Sequence, residues 1–126
     1  MASIVLEEVI AAAPERAWSA LADFANAHRA FAGVLTDCRL ESDDVRVATF
    51  ANGQQVRERL IGIDHDRRRI AYSALSFAHH NATFEVAAAG SGSRVIWSCD
   101  LLPNEAATQV RALMEAGLAA VKRNLA

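Results

Sequence analysis

Lysine occurs once, at Lys122, and acids outnumber bases by 15 to 13 in the 126-residue chain. Without a positive excess there is no electrostatic footprint for a phosphate backbone, so nucleic acid is not an expected partner. The Arg67 to Arg69 run reads as a tight turn. No apolar run approaches the roughly 18 residues that span a bilayer. The opening MASIVLEEVI carries two acids where a leader would carry bases. The expected location is the cytoplasm, with no membrane partner. Cys38 and Cys99 are isolated and lack CxxC spacing, which argues against a zinc knuckle and a disulfide framework and predicts buried free thiols. No GxSxG, Gly-rich phosphate loop or telling Cys-His spacing supports covalent catalysis. His79 and His80 diverge as neighbours on an expected strand, so they cannot chelate one ion from one face. Neither a metal nor a cofactor is expected.

What is present fits one globular domain over residues 1–126: 52% hydrophobic, 22% charged, both signs dispersed, with no repeat or linker. Alternating and β-branched SIVLEEVI reads as a first strand ending at AAAP, where Pro14 suits the first position of a helix. In PERAWSALADF, Ala17, Trp18, Leu21 and Phe24 share one helical face, and NAHRAFAG predicts a second short helix stopped by Gly33. From Gly33 to Leu102 the period drops to 2. GVLTDCRLE, VRVATFA, QQVRERLIGI, RRIAYSAL, HHNATFEVAA and SRVIWSCDLL read as an antiparallel meander. Asn52-Gly53 is its clearest hairpin turn. After Pro103 the period returns to 3.6, with Val110, Leu113, Met114, Gly117, Val121 and Leu125 on one stripe. Residues 104–124 are therefore expected as one helix of roughly 31 Å, capped by Asn104. The fold class is α+β: a curved antiparallel sheet of six to seven strands, two short helices after the first strand, and a long C-terminal helix closing the sheet's open side.

This order of elements, with AAPERAWSALADFANAHRAF, VRERLIGID and SRVIWSCDLLP, resembles the START-like or SRPBCC superfamily and its polyketide cyclase/dehydrase-like branch over essentially the whole chain. The resemblance implies a helix-grip fold with a ligand-sized hollow between helix and sheet. The short chain and compact SALSFAHH connection imply a hollow smaller than a sterol or lipid carrier's. Gly117, flanked by Ala116, Ala119 and Ala120, either leaves room for a ligand or lets the helix pack closely.

One inner position carries a carboxylate. If Val56, Glu58 and Leu60 point inward, Arg57 and Arg59 reach solvent, which avoids burying two guanidinium groups. Ile61 and Ile63 then face outward unless Gly62 marks a bulge. A carboxylate among apolar residues must pair with a cation, contact cavity water or take up a proton. Arg46 is the candidate partner. A three-residue loop with a bulge at Gly53 puts it on Glu58's face, whereas a two-residue Asn52-Gly53 turn puts it on the other. The family pattern, an Arg early in the third strand and a Glu in ERL, resembles Arg46 and Glu58 and favours the first. The pair is either structural or functional. Alternation also turns Tyr72, His80 and Trp97 inward, a set able to orient a carbonyl or phenol and move a proton near neutral pH. A hydrogen-bonded structural histidine remains the plain alternative for His80.

The expected function is binding of a small apolar or aromatic molecule by Arg46, Glu58, Tyr72, His80, Trp97, Leu113 and Gly117. The alternative is an aromatase/cyclase-type acid–base enzyme using Glu58 or His80. A further alternative is a chaperone-activator-like interaction module meeting a protein through the helix or through Ile61 and Ile63. A second copy of the chain is a candidate partner. Arginine supplies twelve of the 13 basic residues, and with abundant alanine this suggests a GC-rich bacterial source.

Overall fold

The computed structural model describes residues 1–126. Seven strands form one curved antiparallel sheet in the order β1-β7-β6-β5-β4-β3-β2. They are β1 (Ala2–Ile10), β2 (Leu35–Leu40), β3 (Val45–Phe50), β4 (Gln55–Asp64), β5 (Arg69–Ala74), β6 (His79–Ala89) and β7 (Gly92–Leu102). Each of β2 to β6 pairs with the next strand in sequence. The first strand instead returns to pair with the last, Ile4 opposite Cys99 and Ile10 opposite Ser93.

Three α-helices cover the inner face: α1 (Pro14–Leu21), α2 (Ala27–Ala30) and α3 (Ala107–Asn124). Pro14 opens α1 as its sequence predicts, and Trp18 and Leu21 bury its apolar face. The helix ends at Leu21, short of the Phe24 expected from periodicity, and Phe24 begins a 3-10 turn instead. Inside lies one apolar cluster joining Ile4, Leu21, Phe84, Val95, Leu101, Leu118 and Val121.

The C-terminal segment departs from expectation at its start. Residues Asn104–Ala106 form a 3-10 turn, Ala106 holds the N-cap position of α3, and no side chain caps it. Asn104 is therefore not the cap, because the tighter first turn moves the α-helical boundary past it. Further along, Met114, Gly117, Leu118 and Val121 are buried, whereas Leu113 is 41% exposed at the edge of the stripe. Lys122 Nζ reaches Glu8 Oε1 at 3.2 Å and links α3 to β1.

A register shift between Leu60 and Gly62 marks a bulge in β4, which sets Ile63 opposite the core residue Ile70. Ile61 and Ile63 nevertheless stay exposed. No helix is long and apolar enough to cross a membrane.

Candidate functional site

Between the inner sheet face and α3 lies a cavity of about 200 Å³, with 18 of its 25 lining residues hydrophobic. Its floor is made by small side chains: Ala48 on β3, Ala74 on β5 and Ala82 on β6 all line it. Three alanines on the inner face leave unfilled the volume that larger residues would occupy, so the hollow is written into the strands themselves. One wall is aromatic. Phe84 lies 4.4 Å from Trp97 between ring centroids, Phe31 lies 5.6 Å from Phe84, and His80 sits 5.8 Å from Tyr72 and 5.3 Å from Phe77. Val110, Leu113 and Met114 of α3 close the other side.

Gly117 explains how α3 comes so near. A Cβ there would lie 2.7 Å from Trp97 Cζ3 and 3.3 Å from Phe31 Cε1. Close packing is thus the observed use of this glycine, and its absent side chain is what admits the indole beneath the helix.

The hairpin between β3 and β4 decides the site's one ion pair. Phe50 N–H donates to Gln54 O at 2.8 Å across a three-residue loop, with Gly53 at φ +88° and Asn52 Oδ1 accepting from Gln54 N–H. This count sets Arg46 directly opposite Glu58. Arg46 Nε donates to Glu58 Oε1 at 2.9 Å, and Nη1 donates to the Phe24 carbonyl, also at 2.9 Å. The guanidinium lies 4.3 Å from the Phe24 ring centroid and 5.3 Å from that of Tyr72. The side chains are 9% and 12% exposed. Arg57 and Arg59 point to solvent from the same strand as Glu58, paired with Glu41 and Asp44.

His80 has a definite role in this geometry. The N–H of Ala74, at the end of β5, donates to His80 Nδ1 at 2.9 Å. An Nδ1 that accepts must be unprotonated, so in the neutral ring the proton sits on Nε2, which has no protein partner. Burial, with a smaller contribution from His79, pushes the His80 pKa down to about 4. At neutral pH the His80 ring is therefore neutral, with its Nε2–H available to donate.

Two other titratable groups in the cavity are also moved away from neutrality. Burial, then the charge of Glu58, raises the Tyr72 phenol far above its usual value. Burial pushes the Cys99 thiol up to about 11, which leaves it unreactive. The indole N–H of Trp97 is buried without any acceptor; the Tyr72 hydroxyl lies near it, outside hydrogen-bonding geometry.

All seven residues singled out from sequence line this one cavity: Arg46, Glu58, Tyr72, His80, Trp97, Leu113 and Gly117. Several lining residues went unrecognised in the sequence. Gln109 carries a helical-stripe signal, four residues before Leu113, whereas Ser76 and Phe77 sit in a turn that no periodicity marks. No three His, Cys, Asp or Glu side chains converge to hold a metal.

The fold is a helix-grip α+β domain with a mostly apolar cavity of about 200 Å³ between sheet and α3. The chain belongs to the polyketide cyclase / dehydrase and lipid transport family, whose model matches residues 1–126. Among solved structures it is similar to the protein XoxI from Bacillus cereus, at 23% identity over 99% of this chain and 96% of that one, with a TM-score of 0.88. A Thermobifida fusca protein is 25% identical over 98% of this chain and 93% of its own, with a TM-score of 0.74. The di-domain aromatase/cyclase BexL is 18% identical over 98% of this chain and 46% of its own, with a TM-score of 0.81. No curated protein sequence matches the chain.

Proposed function

We propose that the protein binds a small apolar or aromatic molecule in the cavity between sheet and α3, with Arg46, Glu58, Tyr72 and His80 around its polar end. The observation that carries this reading is the cavity itself: a well-packed domain of this size has little reason to keep about 200 Å³ open behind an apolar lining. The volume lies below the ~300–1,000 Å³ of drug-sized sites and near the ~150 Å³ of an engineered cavity that takes up benzene. It suits a ligand of one or two rings.

The catalytic reading rests on family membership and on Glu58, the carboxylate in the wall. It is the weaker of the two. His80 and Cys99 are displaced to about 4 and about 11, and Tyr72 is raised, so none of the three is poised to exchange a proton near pH 7. Leu113→Trp at the half-exposed rim tests the binding reading. It should block access, weakening one- and two-ring lipophilic ligands at least tenfold in a thermal-shift titration while leaving the unliganded midpoint within about a degree. Unchanged affinity in that variant would place binding elsewhere. Turnover of a poly-β-keto substrate, abolished in Glu58→Gln, would favour the enzyme.

A further inference from the structure

The cavity offers a ligand one open acceptor and one open donor, placed on a single cross-strand row. Register sets Arg46 opposite Glu58 and Glu58 opposite Ala74. Two residues past the last β5–β6 ladder pair, Tyr72 with Ala82, the same count brings Ala74 to His80, and the bond from the Ala74 N–H to Nδ1 ties them. Directly opposed residues share a face, and Arg46, Glu58, Ala74 and His80 all line the cavity. Strands about 4.8 Å apart place the Glu58 and His80 backbones roughly 10 Å from each other. Between them Ala74 contributes only a methyl group, so the space over it stays open.

Both polar ends are unfinished. Arg46 bonds Oε1 of Glu58, which leaves Oε2 without a protein donor. The Nε2–H of His80 has no protein acceptor, because Nδ1 alone takes the Ala74 bond. The side-chain atoms both sealed off and unpartnered are Trp97 Nε1 and His28 Nδ1. Glu58 Oε2 and His80 Nε2 are not among them, so each presents open surface.

We propose that Glu58 and His80 select a hydroxyl: one ligand O–H, on a phenol or alcohol of one or two rings, sits over Ala74, donates to Glu58 Oε2 and accepts from His80 Nε2–H. This inference rests on the binding reading above and deepens it by naming the ligand's polar end. A hydroxyl is both donor and acceptor, and so it meets both groups with one atom and brings no charge into the cavity. A ketone or ether oxygen accepts from His80 but turns its lone pairs on the carboxylate. An amine donates to Glu58 and leaves the imidazole N–H unmet. A ligand carboxylate sets a second anion beside Glu58, while the one buried cation is already neutralised. A plain hydrocarbon desolvates both groups and satisfies neither.

Five probes on one skeleton separate these cases in calorimetric titrations: indane, 5-indanol, 5-aminoindane, 5-methoxyindane and indane-5-carboxylic acid. Expected is 5-indanol about tenfold tighter than indane, the amine and the ether weaker than 5-indanol, and the acid weakest. His80→Asn keeps an acceptor for the Ala74 N–H and removes the Nε2 donor. It should bring 5-indanol to the affinity of 5-aminoindane and leave the amine within about twofold of its parent value. The chain has four histidines, and the imidazole signal lost in that variant identifies His80 in a long-range ¹⁵N–¹H spectrum. That signal should shift with 5-indanol and stay in place with 5-aminoindane. Should the variant not fold, the order of the probes in the parent chain decides by itself. Equal affinity for 5-indanol and indane, 5-indanol losing nothing in His80→Asn, or the acid binding best would overturn this inference and leave the cavity reading standing. Failure of all five probes to bind would overturn the binding reading and this one together.

Discussion

Arg46, Glu58 and His80 are each held by a specific neighbour in the cavity, and the ion pair and the histidine make separate predictions. Arg46 and Glu58 face each other on β3 and β4 nearly out of solvent, so losing one partner strands the other. Arg46→Met should destabilise by about 3 kcal/mol, as for other broken buried pairs. Arg46→Met with Glu58→Leu should recover most of that loss, because an apolar pair of similar volume carries no desolvation penalty. Urea unfolding of the two variants checks this, and equal losses in both would show that the pair contributes through packing alone. The His80 prediction concerns pH. Its folded-state pKa, about 4, lies below the ordinary 6.5, so the unfolded chain binds the proton more readily. The contribution of His80 is fully present above about pH 6.5 and is lost as pH falls toward 4. His80→Asn keeps an acceptor where Nδ1 stands and cannot titrate, so its stability at pH 7 should resemble that of the parent while the decline between pH 6.5 and 4 becomes shallower. An unchanged slope would place that acid sensitivity elsewhere.

At the level of strands and helices, legibility in the sequence follows from how each feature is encoded. The seven strands and α3 were readable because alternation and the 3.6-residue stripe are properties of the chain alone. Which face Arg46 takes was not, since alternation leaves it to the length of the loop at residues 51–53, and only the Gly53 turn settles it. The start of α3 was missed for a similar reason, a 3-10 turn and an α-turn sharing the same apolar spacing over three residues. A stripe cannot separate core from rim, hence the exposed Leu113. Cavity volume is harder still: Ala48, Ala74 and Ala82 each read as ordinary strand residues, and their coincidence on one floor appears only in register. Gly117→Ala tests the packing of α3. Helix propensity gains close to 1 kcal/mol, but displacing the Trp97 ring should cost about 1–3 kcal/mol. The net effect expected in denaturation is a loss, with altered near-ultraviolet dichroism from the shifted indole. A stabilised variant with an unmoved indole signal would mean that the helix can lift freely.

The molecule as a whole is closed by its most distant pairing. Ile4 meets Cys99, 95 positions later, and β1 borders no other strand. Sheets dominated by such separations fold in milliseconds to seconds, because long loops must close before the contacts reward them. Stopped-flow refolding followed by tryptophan fluorescence should fall in that range, and a microsecond phase accounting for the full amplitude would contradict it. The same pairing shapes what happens on the ribosome. At about 5–20 residues per second, the first strand waits on the order of 5–20 s for its only neighbour to be synthesised. Through that interval Ile4, Val5, Leu6, Val9 and Ile10 form a nascent β-segment with an unsatisfied edge, the kind of sequence that seeks strands on other chains. Glu7 and Glu8 sit in its middle, where two adjacent negative charges repel the like segment of a neighbouring nascent chain and keep the strand available for its own.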